Sequence, residues 1–182
     1  PVSTDMVEGG VAVITMSTAA SQNTFSNTHF IPLLTNLEEV MANPSCRSVV
    51  ITGTGKFFSS GGNIDDFSEA IDKGEIGSKV QEMTGRLHPL LLKIRTSDKV
   101  FVCAMNGSAA GGGLGLALSC DYRVCSHEAK IPSAFFRLGL SPDGGTTWLL
   151  PRLVGNQIAR KFFFNSEVWS AEQALEYGAI DE

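Results

Sequence analysis

Asp143 lies in the run Leu140-Ser141-Pro142-Asp143-Gly144-Gly145-Thr146-Thr147, with Phe135, Phe136, Leu138 and Trp148 nearby in sequence. Such a carboxylate has two available roles. In front of a Gly-Gly helix start it can be an N-cap. Among apolar side chains its pKa rises, and it can remove and return a proton as a base. Glycine offers the second candidate chemistry. The chain has 19 glycines in 182 residues, clustered at Gly53/Gly55, Gly61-Gly62, Gly111-Gly112-Gly113 and Gly144-Gly145. Two of these clusters sit between an apolar strand-like run and a helix-like run. Backbone N–H groups at such places are free, and the helix dipole favours negative charge there. Two loops of this kind, if they converge, form an oxyanion hole for an enolate or tetrahedral oxyanion, with each donor contributing roughly 3 kcal/mol. The alternative is that the glycines only permit tight turns.

Other chemistries lack their patterns. Gly53-Thr54-Gly55-Lys56 has neither the four-residue spacer of a phosphate loop nor a Ser/Thr after the lysine. Gly111-Gly112-Gly113-Leu114-Gly115 fails the dinucleotide spacing, because Leu118 stands where the last glycine belongs. No HExxH or GxSxG occurs. His29, His88 and His127 have no carboxylate or cysteine at a recognisable spacing and read as surface or packing residues. Cys46, Cys103, Cys120 and Cys125 form no CxxC pair. They read as reduced, buried thiols, with no metal site and no disulfide scaffold.

The elements that must position these residues are legible as patterns. Gly9-Gly10 reads as a hairpin turn before the alternating strand 11–16. Ser26 is placed to cap a helix to about Asn43, with Leu33, Leu34, Leu37, Val40 and Met41 on one face. Buried strands are expected at 47–52 and 99–105, and a third strand at 121–125. Helices are expected over about 64–70, over 76–95 with Pro89 as a kink, over 114–119, from Pro142 to Leu150, and over 158–164 and 171–177. Strands alternating with helices indicate an α/β or related layered architecture.

Composition narrows the class further. With 43% hydrophobic and 18% charged residues the chain supports one globular domain with a real core. Its net charge of −5 and its lack of a basic run argue against nonspecific nucleic-acid binding. No segment approaches the apolar length that spans a membrane. Pro1 to Glu8 shows no basic or apolar secretory signal, so a cytoplasmic protein is expected.

Taken together, several segments resemble the crotonase superfamily, the enoyl-CoA hydratase/isomerase fold. They are Val11–Met16, Ser48–Gly53, Lys56-Phe57-Phe58-Ser59-Ser60-Gly61-Gly62-Asn63-Ile64, Met105-Asn106-Gly107-Ser108-Ala109-Ala110-Gly111-Gly112-Gly113-Leu114, Ser119–Arg123, Ser170–Ala174 and Tyr177-Gly178. The resemblance covers essentially the whole chain, 1–182, as one crotonase-like core. It implies a ββα-superhelix, or spiral, truncated before the C-terminal helices that cover the acyl pocket and build the trimer. It implies an acyl-CoA thioester substrate, with coenzyme A as part of the substrate and no separate cofactor. The expected assembly is a homotrimer or hexamer. The thioester carbonyl would be held by the N–H groups of Gly62 and Gly112. The CoA arm would run along Ser60, Gly61, Asn63 and Ile64. Gln22 stands where the family often has Arg or Lys near the CoA phosphates, and Asn63 where it usually has Asp.

The branch is read residue by residue. Hydratases of the family carry two glutamates, at the places of Gly115 and Phe135, and this chain has neither. Water addition needs both a base and an acid, so a two-glutamate hydratase is not expected. Asp143 matches the place where several enoyl-CoA isomerases put their carboxylate. The run Gly139–Gly155 resembles the phenylacetate-pathway isomerases. The expected enzyme is thus an enoyl-CoA isomerase, with Asp143 as base and Phe135, Phe136, Leu138 and Trp148 as pocket residues. The alternatives are aryl-CoA dehalogenation with Asp143 as nucleophile, an atypical hydratase, and a non-catalytic acyl-CoA-binding protein.

Overall fold

The structure, a computed structural model, describes residues 1–18 and 22–182. The chain begins with β1 (Val2–Val7), which turns through Gly9 and Gly10, both at positive φ, into antiparallel β2 (Val11–Met16). Helix α1 (Asn27–Ala42) follows, then β3 (Ser48–Gly53) and the short β4 (Phe57–Ser59). Helices α2 (Ile64–Asp72) and α3 (Ile76–Arg95) lead to β5 (Val100–Met105), the two-residue β6 (Ser108–Ala109) and α4 (Gly112–Ser119). The third repetition is β7 (Tyr122–Cys125), β8 (Lys130–Pro132), a 3-10 turn at Phe136–Leu138, α5 (Thr146–Val154) and α6 (Asn156–Phe164). The chain closes with β9 (Val168–Ser170) and α7 (Ala171–Glu176).

The repeated unit is therefore a long strand, a short strand and helix. The long strands form one sheet in the order β1-β2-β3-β5-β7, parallel from β2 onward. The short strands start a second layer, with β4 parallel to β6, while β8 pairs antiparallel with β9. This is the spiral of ββα units expected from the sequence.

The three central strands β2, β3 and β5 bury alternate residues: Ala12, Ile14 and Met16; Val49 and Ile51; Phe101, Cys103 and Met105. Their opposite face is half-covered, so these are not the doubly buried strands the apolar runs suggest. Leu33, Leu37 and Val40 of α1 and Leu87, Leu90, Leu91 and Ile94 of α3 complete one contiguous core. Helix α3 runs through Pro89 without ending. Cys46, Cys103 and Cys120 are buried and Cys125 half-buried, all as free thiols.

Helix α4 departs most from its sequence signal. All eight residues are buried, so it shows no amphipathic period, and it starts at Gly112 rather than Leu114. Behind it, Asp121 accepts from the Phe101 amide at 2.9 Å and pairs with Arg95 at 3.3 Å. Arg123, almost fully buried, pairs with Asp181 at 2.8 Å and donates to the Cys120 carbonyl. The Asp-x-Arg strand is thus a latch between the sheet and the end of the chain.

Candidate active site

Three loops meet at the N-terminal end of α4. The first is Ser60–Asn63, between β4 and α2. It is stitched to the segment after β2: the Ser60 amide donates to the Gln22 carbonyl at 3.1 Å, and the Phe25 amide to the Gly61 carbonyl at 2.8 Å. Ser59 Oγ donates to the Asn23 carbonyl at 2.8 Å. Asn23 anchors the stitching. Its Oδ1 accepts from the Thr18 amide and hydroxyl at 2.9 and 2.8 Å, and its Nδ2 donates to the Thr54 and Phe57 carbonyls at 3.2 and 2.9 Å. Buried and at φ 51°, Asn23 occupies the left-handed region that Asn tolerates better than most residues.

The second loop is Ala110–Gly112. A Cβ on Gly61 would stand 2.9 Å from the Gly112 nitrogen, so the two glycine loops are in backbone contact. The Gly62 and Gly112 amides have no acceptor among the described residues. Gly112 is also the first residue of α4, where the helix dipole favours negative charge. The structure brings the two sequence-predicted donors into one neighbourhood, each with its hydrogen unused.

The third loop carries Asp143. Helix α5 starts at Thr146, with Gly145 as its N-cap residue. What holds the helix start is the main-chain carbonyl of Asp143, which accepts from the Thr146 amide at 3.1 Å and hydroxyl at 2.7 Å. The carboxylate takes no part in capping and has no hydrogen-bond donor among the described residues. Asp143 is half-buried. Burial raises its carboxyl pKa from the ordinary aspartate value, and a positive charge on His88 would pull it the other way.

His88, read from sequence as a surface or packing residue, is exposed on α3 and also touches this site. Its Nε2 accepts from the Gly144 amide at 3.2 Å, which places the ring proton of the neutral form on Nδ1. The two residues are 56 positions apart, and no local pattern links them. Beside them opens a cavity of about 630 Å3, whose lining includes His88, Leu91, Leu118, Gly145, Trp148 and Leu149.

Of the four aromatic and aliphatic residues expected around the acyl group, only Trp148 lines this cavity. Phe135 is a core residue at 4% exposure, packed on Phe163 with ring centroids 6.4 Å apart. Phe136 and Leu138 are exposed on the 3-10 turn, where Phe136 meets Phe164 at 5.6 Å. The rest of the wall comes from α3, α4 and α5 and from the Asp121–Arg123 latch, so Arg95, Asp121, Arg123 and Arg152 line it as well. Of the expected CoA contacts, Ser60 is half-buried and Ile64 and Gln22 are exposed. Asn63 caps α2, its Oδ1 accepting from the Asp65 amide at 2.9 Å, so it does the work expected of an Asp there.

Among the described residues no cluster of three or more His, Cys, Asp or Glu could hold a metal ion, and no helix is long and apolar enough to cross a membrane.

Comparisons with known proteins agree with this arrangement. The family model described as enoyl-CoA hydratase/isomerase matches residues 6–182. The 1,2-epoxyphenylacetyl-CoA isomerase of Escherichia coli (strain K12) is 34% identical over 176 residues, which is 96% of this chain and 66% of that protein. The 4-chlorobenzoyl coenzyme A dehalogenase-1 of an Arthrobacter species is 28% identical over 172 residues, 94% of this chain and 62% of that protein. The crystal structure of enoyl-CoA hydratase from Bacillus halodurans superposes with a TM-score of 0.91 at 28% identity, covering all of this chain and 72% of its own. The chain thus spans less than two thirds of the length of these curated relatives.

Proposed function

The chain belongs to the enoyl-CoA hydratase/isomerase family, and we propose that within it the protein is an isomerase that shifts a double bond in an enoyl-CoA thioester. The observation that carries this reading is Asp143: a half-buried carboxylate that caps nothing, with a raised pKa, two residues before Gly145 at the edge of a cavity walled by leucines and Trp148 together with Arg95, Asp121, Arg123 and Arg152. In the proposed cycle Asp143 removes a proton from the carbon at one end of the allylic system. The negative charge moves onto the thioester oxygen, where the Gly62 and Gly112 amides stabilise the enolate. Asp143 then returns the proton to the other end. One carboxylate suffices, because nothing but a proton is moved. The acyl group occupies the cavity beside His88 and Trp148. Coenzyme A enters as part of the substrate along Ser60–Ile64 and Gln22. Homotrimeric or hexameric assembly is part of the same proposal and is read by light scattering.

A second reading keeps the fold and makes Asp143 a nucleophile on an aryl-CoA ring carbon, with halide leaving and water releasing the product. It is favoured by the similarity to the dehalogenase. The deciding experiment is turnover of 3-enoyl-, 2-enoyl-, ring-epoxide and 4-halobenzoyl-CoA thioesters, with acid quench. Isomerised product and no covalent adduct supports the first reading. An aryl ester of the Asp143 carboxylate, formed with loss of halide, establishes the second.

A further inference from the structure

Gly144 rests on α4 through its own backbone. Gly112 and Gly115 are three positions apart and lie on one face of that helix. A Cβ on Gly144 would stand 3.5 Å from the Gly115 Cα and 3.6 Å from the Gly112 Cα. In the other direction the contact is tighter, since a Cβ on Gly115 would collide with the Gly144 carbonyl oxygen and stand 3.0 Å from its carbonyl carbon and Cα. The Gly144 amide donates to His88 Nε2 of α3 at 3.2 Å. Gly144 is therefore fixed at two points by two different helices, with Asp143 as the adjoining residue.

We infer that Gly115 and His88 are positioning residues for the reaction, seating Gly144 so that the Asp143 carboxylate stands at a fixed depth beside the Gly112 amide. The inference rests on the proposed role of Asp143 but concerns where its carboxylate is held. Gly115 acts by absence: any side chain lifts the loop, because α4 is buried on all sides and the loop is the part able to yield. His88 acts as an acceptor that keeps the loop from lifting by itself.

The test uses Gly115→Ala, His88→Leu and His88→Gln in the full chain. The two readouts are steady-state turnover of a 3-enoyl-CoA and carbon-NMR titration of the Asp143 carboxyl. In Gly115→Ala, kcat should fall about 100-fold while thioester affinity stays within about threefold, as for a misplaced catalytic group. The Asp143 carboxyl should titrate lower, because the lifted loop admits water. The two His88 variants both remove the imidazole, so their difference reports the hydrogen bond to the Gly144 amide. A glutamine oxygen can accept from the Gly144 amide, whereas leucine cannot. Asp143 should therefore titrate lower in His88→Leu than in His88→Gln, with kcat lower as well. If Gly115→Ala does not fold, the His88 pair decides. An unchanged Asp143 titration in folded Gly115→Ala, or identical behaviour of the two His88 variants, overturns the seat. Loss of the base assignment appears separately, as full isomerase activity in Asp143→Asn with the titration shifts still present in the seat variants.

Discussion

Asp143 is charged where charge is disfavoured. The folded protein raises its pKa through burial, so folding binds the proton more tightly than the unfolded chain does. Its contribution to stability is therefore full below the unfolded carboxyl's pKa and is lost as pH rises through the folded value. Two outcomes follow for the residue. First, kcat should fall on the acid side with an apparent pKa displaced upward from that of an ordinary aspartate, since only the ionised carboxylate can accept a proton. A profile with no acid limb would remove Asp143 as the base. Second, Asp143→Asn keeps size and discards charge. Isomerisation should drop roughly 100-fold or more, and thioester binding should survive because the glycine amides are untouched. The melting temperature at neutral pH should stay level or rise, since a desolvated charge has gone and the side chain caps nothing. A clear drop in melting temperature, measured by circular dichroism, would show that the carboxylate has a structural partner.

At the scale of elements the site depends on loops held by side chains far away in sequence. Asn23 donates two and accepts two hydrogen bonds across the segments before β4 and after β2. Asn23→Ala deletes these four hydrogen bonds and keeps a positive φ on a residue less suited to it. A loss of about 2–4 kcal/mol is expected by urea unfolding, together with weaker thioester binding as the Ser60–Asn63 loop loses its anchor. Loss of stability with unchanged binding would show that the loop holds its shape without the anchor. What the sequence reveals follows from this distinction. The alternating strand 11–16, the apolar runs that become β3 and β5, and the long helices α1 and α3 are legible because they carry local periods. The strands β4, β6, β8 and β9 are two or three residues long, too short to carry one. Helix α4 loses its period by being buried all round. The glycine loops and Asp143 are legible because glycine clusters and a carboxylate among apolar residues are local signals. His88 is not, because its significance arises only when α3 passes the Asp143 loop.

For the whole molecule, the question is whether the spiral could run the family's two-carboxylate hydration. Hydration needs one group to activate water and another to protonate carbon. The two places where hydratases keep glutamates are both closed here. At Gly115 the space a Cβ needs is filled by the Gly144 carbonyl. At Phe135 the side chain is 4% exposed and packed on Phe163 in the core. These positions are not merely unoccupied, because the packing of α4 against the Asp143 loop and of the 3-10 turn against α6 has taken up their room. Crotonyl-CoA hydration should therefore run well below the ordinary enzyme range of about 10 per second. Restoring the carboxylates should not recover it. Gly115→Glu should lift the Asp143 loop and abolish isomerisation. Phe135→Glu should destabilise the chain by about 3 kcal/mol or more, because it removes a core aromatic and buries a charge without a partner. The check is to measure crotonyl-CoA hydration and thermal unfolding in both single variants and in the double variant. A folded double variant that hydrates crotonyl-CoA at an ordinary enzymatic rate would mean that the two places are open. The fold would then impose no choice between moving a proton and adding water.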